Sequence, residues 1–197
     1  MDNRLVAWAR AVKARGGGRA PPPLWLFTDA GRLGDPRPTV ARLPRGLAGV
    51  VLRDDASPGR WRLGRDLASL CRARRLSLSV AGDWRLAAAL RAGVHLRSGR
   101  RPAAMPRWLP ALTASAHGVP DLVRARRAGA ALGFLSPVFA TPSHPQAVPL
   151  GPLRWNMVAR RAGAAAALGG ITGASIRRLS RTACIAAGGI AALREKM

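Results

Sequence analysis

The sequence predicts a single α/β domain, a closed (β/α)8 TIM barrel preceded by a short N-terminal helix. Three observations predict it. Short apolar runs alternate with amphipathic helical stretches almost without interruption, about eight such units follow one another with no linker, and polar and glycine residues collect after the runs rather than before them. Parallel neighbours need crossover connections, so this alternation implies a parallel sheet, and eight units close naturally into a barrel. An open, doubly wound sheet is the competing arrangement. At 197 residues the chain is about one domain long and short for a barrel, so its helices should be short and its loops tight.

Residues 1–20 read as an amphipathic helix and linker, with Leu5, Val6, Trp8, Ala9 and Val12 on one stripe, and residues 21–197 as the barrel. Pro21 to Pro23 end that helix, and Leu24 to Thr28 is the first strand. A helix-like stretch closes near Pro44 and leads to the strand Gly49 to Arg53. Trp61, Leu63, Leu67, Leu70 and Cys71 give helical spacing over 61–74. A strand at 76–80, a helix at 84–91 and the strand Gly93 to Leu96 follow. The Pro- and Arg-rich connection 99–107 leaves room for only a short helix. Next come a strand at 111–114, a helix at 119–128 capped by Gly129, and a strand at 131–135. The loop 136–151 is the one long connection. A helix at 153–161, a strand at 164–168, a short helix at 175–179, a strand at 183–187 and a terminal helix complete the chain.

Composition excludes several classes. No apolar run reaches the roughly 18 residues that a membrane span needs, the first residues lack a secretory h-region, and the two cysteines, Cys71 and Cys184, lack metal-ligand spacing. These features fit buried thiols in a cytoplasmic protein without a membrane partner. The net charge of +24 is almost all arginine, with lysine only at Lys13 and Lys196. Such a charge draws phosphorylated small molecules or nucleic acid. The arginines are scattered without a dense tract and tyrosine is absent, so nucleic acid is the less favoured partner. The sequence leaves the oligomeric state open, a homodimer included.

In barrels of this kind the site forms at the C-terminal ends of the strands. Two glycine pairs, Gly169-Gly170 and Gly188-Gly189, follow the last two strand runs and let backbone N–H groups approach a phosphate. The long loop adds Ser136 and the donors Thr141, Ser143 and His144, which suit a pyrophosphate and could close over it. Ser115 and His117 end the fifth strand, and Arg53 and Asp83 follow the second and third. His95, inside its strand, reads equally as a core group or a site residue.

Leu24 to Asp29, Gly49 to Arg53, Gly93-Val-His-Leu96, Ser115-Ala-His117, Ser136-Pro-Val-Phe-Ala-Thr-Pro-Ser-His144, Leu150-Gly151 and Leu168-Gly-Gly-Ile171 occur in the order and approximate spacing of thiamine phosphate synthases. From about residue 24 to 190 the chain resembles that family, whose superfamily also holds thiazole tautomerases on the same barrel. The resemblance implies an enzyme that couples a hydroxymethylpyrimidine pyrophosphate to a thiazole phosphate, releasing pyrophosphate with Mg2+. It implies that Arg53, Thr141, Ser143 and His144 hold pyrophosphate, that Gly169, Gly170 and Gly188 hold the thiazole phosphate, and that Asp83 is a metal ligand. This sequence carries Asp54-Asp55 where the family has Glu-Lys, and His144 where it has lysine. A metal-independent tautomerase using His117 for proton transfer, and a non-catalytic barrel that binds phospholigands or RNA, are the alternatives.

Overall fold

Eight strands close into one ring, each parallel to its neighbours in sequence order, with β8 returning to β1. The computed structural model describes residues 1–17, 20–53, 58–141, 146–190 and 193. The strands are β1 (Leu24–Phe27), β2 (Ala48–Leu52), β3 (Ser77–Ala81), β4 (Gly93–Leu96), β5 (Ala111–Ala116), β6 (Leu132–Leu135), β7 (Ala165–Leu168) and β8 (Cys184–Gly189). The helices are α1 (Asn3–Gly16), α2 (Ala30–Leu33), α3 (Arg37–Arg42), α4 (Arg60–Arg74), α5 (Trp84–Ala89), α6 (Val119–Arg127) and α7 (Gly151–Arg161). The closed ring rules out the open sheet.

Two crossovers are reduced to single 3-10 turns, Arg97–Gly99 after β4 and Ser175–Arg178 after β7, and the expected terminal helix lies largely outside the described residues. After β4, Pro102, Pro106 and Pro110 deny a helix its backbone donors. Instead α6 settles directly on the turn. A Cβ on Gly99, whose φ is +69°, would lie 2.6 Å from the Ala125 nitrogen.

The barrel interior is filled by large side chains set against very small ones. Trp25, Phe27, Val51, Ala81, Leu132, Phe134, Ala166 and Ala186 form one buried cluster. Phe27 and Phe134 meet edge to face at 5.0 Å, and Trp25 meets Phe134 at 6.1 Å. The Trp25 ring occupies the space above Gly49, where a Cβ would come within 2.7 Å of it, and its Nε1–H donates to Pro22 O at 2.7 Å. Ser79, Thr113 and His95 add a buried polar chain, with Oγ to Oγ1 at 2.9 Å and Oγ1 to His95 Nδ1 at 2.8 Å.

Outside the ring, helices bury residues at helical spacing: Gly64, Leu67, Ala68 and Cys71 on α4, Leu122 and Ala125 on α6, Trp155 and Ala159 on α7. Burial pushes both thiols, Cys71 and Cys184, up to about 12, which keeps them protonated and inert. Many arginines bind backbone carbonyls where elements end. Arg101 donates to Pro106 O and Leu109 O, Arg74 to Leu43 O, Arg45 to Ala73 O and Arg126 to Ala162 O. Part of the +24 charge is thus spent on satisfying loop and helix ends rather than on a continuous polyanion track.

Candidate active site at the mouth of the barrel

Register places the two glycine pairs side by side. Leu168 of β7 pairs with Gly188 of β8 as the last rung of the ladder, so Gly169 and Gly189 each follow directly on it. Gly169 and Gly170 have φ of +95° and +64°, a left-handed turn that bends the chain over the strand ends. The loop after β6 closes on this turn. Val138 N–H donates to Leu168 O at 2.9 Å and Phe139 N–H to Gly169 O at 3.1 Å. A Cβ on Gly169 would meet Pro137 at 2.9 Å, and one on Gly170 would meet Ala140 O and Phe139 Cβ at 2.7 Å. The loop is also pinned to its own far end, through Leu150 N–H to Pro137 O and Gly151 N–H to Val138 O. The glycine turn and the base of the long loop therefore form one unit. Thr141 is half-buried at its edge, while Ser143 and His144 lie outside the described residues.

The second glycine pair differs from expectation. The apolar run ends at Ala187, but β8 continues through Gly189. Gly188 is an interior wall residue, since a Cβ there would meet Phe27 at 2.7 Å and Phe134 at 2.9 Å. Its smallness serves the aromatic packing. Gly189, by contrast, has none of the described residues within 4 Å of its Cβ position at the strand end.

Side-chain alternation carries Arg53 to the same wall as Val51, just beyond β2, and Arg53 N–H is held by Thr28 Oγ1 at 2.9 Å. Its charge reaches His95. Burial first, and then the Arg53 guanidinium, push the imidazole down to about 3, so His95 is a neutral core group. An unfolded chain would bind that proton near pH 6.5, so the stability His95 contributes is complete above pH 6.5 and declines as pH falls toward about 3. The expected slope is at most about 1.4 kcal/mol per pH unit. Urea midpoints measured at pH 7.5 and pH 5 should show this loss, and His95→Gln should flatten it; equal slopes in both proteins would contradict the assignment.

At the end of β5, His117 Nδ1–H donates to Ser136 O at 3.0 Å, since a carbonyl can only accept. In the neutral ring Nε2 is then an acceptor, the tautomer a proton-transferring base requires. His117 N–H binds Asp121 Oδ2 at 2.9 Å, and Asp121 also pairs with Arg124. Ser115 Oγ accepts from Ser98 N–H at 2.9 Å, which fixes the turn after β4. Ser136 N–H in turn donates to Ala116 O at 3.0 Å.

Asp83 caps α5, its Oδ1 accepting from Leu86 N–H at 3.0 Å. Two arginines lie along the segment just before it. Arg60 Nη2 donates to Ala81 O at 2.6 Å, and the Arg97 guanidinium lies over Gly82. Among the described residues no three His, Cys, Asp or Glu side chains gather as metal ligands. Magnesium takes hard oxygen donors, and here the described surroundings of Asp83 are cationic. One or two carboxylates beside substrate phosphate oxygens suffice for magnesium, and at this end of β3 the carboxylate of Asp83 is engaged as the cap of α5.

A family model described as thiamine monophosphate synthase matches residues 31–195. The chain belongs to the thiamine monophosphate synthase family. Its fold is similar to that of a thiamine phosphate pyrophosphorylase from Pyrococcus furiosus, with a TM-score of 0.68 at 23% identity over 85% of this chain and 84% of that one. A thiamine phosphate pyrophosphorylase from Bacteroides thetaiotaomicron superposes with a TM-score of 0.58 at 16% identity, over 86% and 82% of the two chains. At these identities the likeness speaks for the barrel. Transferase chemistry of thiamine biosynthesis rests on the family. No curated protein matches the chain in sequence. Among the described residues no helix is long and apolar enough to cross a membrane.

Proposed function

We propose that the chain joins a hydroxymethylpyrimidine pyrophosphate to a thiazole phosphate and releases pyrophosphate. In this reaction the thiazole nitrogen forms a bond to the pyrimidine methylene carbon, and the C–O bond to pyrophosphate breaks with its electron pair leaving on oxygen. The observation that carries the proposal is the Gly169-Gly170 turn, locked against residues 137–140 and set beside Gly189. In this reading the turn, whose left-handed backbone and close fit to the loop need glycine, holds the thiazole phosphate through backbone N–H groups. Arg53 stands across the mouth, where negative charge grows on the departing pyrophosphate, and a cation there stabilises the transition state more than the ground state. Thr141, with Ser143 and His144, completes the donor set in this reading.

The test is incubation of the full chain with both precursors, with product followed by chromatography. Thiamine phosphate and pyrophosphate should appear in equal amounts. Absence of both, with magnesium and without it, would overturn the proposal.

The fixed tautomer of His117 favours a second reading, a thiazole tautomerase in which Nε2 moves a proton. It predicts isomerisation of a thiazole phosphate that chelator leaves unchanged and His117→Ala abolishes. Coupling activity that survives His117→Ala would decide for the transferase.

A further inference from the structure

Three arginines surround the end of β3. Arg53 follows β2, Arg60 opens α4 and holds Ala81 O, and Arg97 follows β4. Arg97 stands two residues beyond His95, whose ring points into the barrel, so alternation turns its side chain toward the same opening. There it lies across Gly82. A Cβ on Gly82 would come within 3.0 Å of Arg97 Nε and 3.1 Å of Nη2, and the φ of +71° is itself one that glycine favours. The backbone beneath Arg97 thus has the one residue type that lets the guanidinium lie flat on it. Gly82 N–H is tied to His95 O at 3.3 Å, which links the two strands that set the position of the guanidinium. The neighbouring carboxylate, Asp83, is engaged as the cap of α5.

A guanidinium is permanently charged and presents N–H groups in a plane that matches two oxygens of a phosphoryl group. We propose that Arg97, with Arg53 and Arg60, binds pyrophosphate directly at the end of β3, in the role that a magnesium ion would otherwise fill. The inference rests on the reading of this mouth as a pyrophosphate site, and it makes Arg97 a substrate-binding residue. It also accounts for arginines gathered at a strand end where the carboxylate of Asp83 is engaged as a helix cap.

The experiment is calorimetric titration of inorganic pyrophosphate into the full chain in excess EDTA, at about physiological salt. Binding is expected without magnesium. Arg97→Ala should weaken it by about 10- to 100-fold and Arg97→Lys by less, because lysine keeps the charge but loses the planar pair of donors. Arg161→Ala, on the outer end of α7, should leave it unchanged and so separates a built site from general attraction to a basic protein. Arg97 is exposed, so its replacement should leave the melting temperature in place. Binding that appears only with magnesium, that ignores Arg97→Ala, or that falls equally with Arg161→Ala would overturn the proposal. Pyrophosphate binding is read whether or not the chain turns over its precursors. Conversely, turnover that strictly needs magnesium and tolerates Arg97→Ala would sink this inference and leave the proposed reaction standing.

Discussion

Replacing Arg53 by alanine is expected to slow thiamine phosphate formation by about 100- to 1,000-fold, the usual cost of removing one preorganised group that meets developing charge. The side chain stands at the barrel mouth close enough to His95 to oppose its protonation, and its own backbone is fixed by Thr28. The charge it would meet belongs to the leaving pyrophosphate, whereas the thiazole phosphate would sit on the glycine turn after β7. The effect should therefore fall on kcat, with KM for the thiazole phosphate nearly unchanged. Steady-state rates with each precursor varied in turn test this. A rate like that of the unmodified chain would remove Arg53 from the mechanism.

Trp25→Ala is expected to destabilise the barrel by about 3–5 kcal/mol, the range for emptying a large aromatic site in a packed core. Trp25 is fully buried, its ring fills the space that Gly49 leaves, it meets Phe134 edge to face, and its Nε1–H satisfies Pro22 O. The described residues that face it are held in the ring of strands, which limits collapse into that space. Urea unfolding followed by far-UV circular dichroism checks the value, with Trp25→Phe expected to lose less. A midpoint unchanged by Trp25→Ala would mean that the aromatic packing is not what fills the barrel.

Strand positions were readable in the sequence because each strand is a short apolar run bounded by polar or glycine residues, and the runs landed within one or two residues of β1 to β7. The end of β8 was not readable. Glycine ordinarily weakens a strand, so the run stopped at Ala187, whereas Gly188 is needed in the strand to make room for Phe27 and Phe134. That requirement is tertiary and leaves no local trace. The partnership of Gly169-Gly170 with the loop after β6 was readable as chemistry, two phosphate-binding features, and the structure adds that their backbones touch. Arg97 was obscured by its abundance. In a chain with 33 Lys and Arg residues no single arginine stands out, and only its position two residues after His95 marked it as facing inward. Asp83 shows the converse: an aspartate just before a helix serves equally as a cap or as a ligand, and only its bond to Leu86 N–H reveals the capping role.

The most direct measurement is a comparison of thiamine phosphate with thiamine, each titrated calorimetrically into the chain at about physiological salt. The two differ only in the group that the Gly169-Gly170 turn and Gly189 would hold. The phosphate ester should bind tighter by on the order of 100-fold, the equivalent of one or two charge-assisted hydrogen bonds. Equal affinity for the two would contradict a phosphate pocket at the ends of β7 and β8.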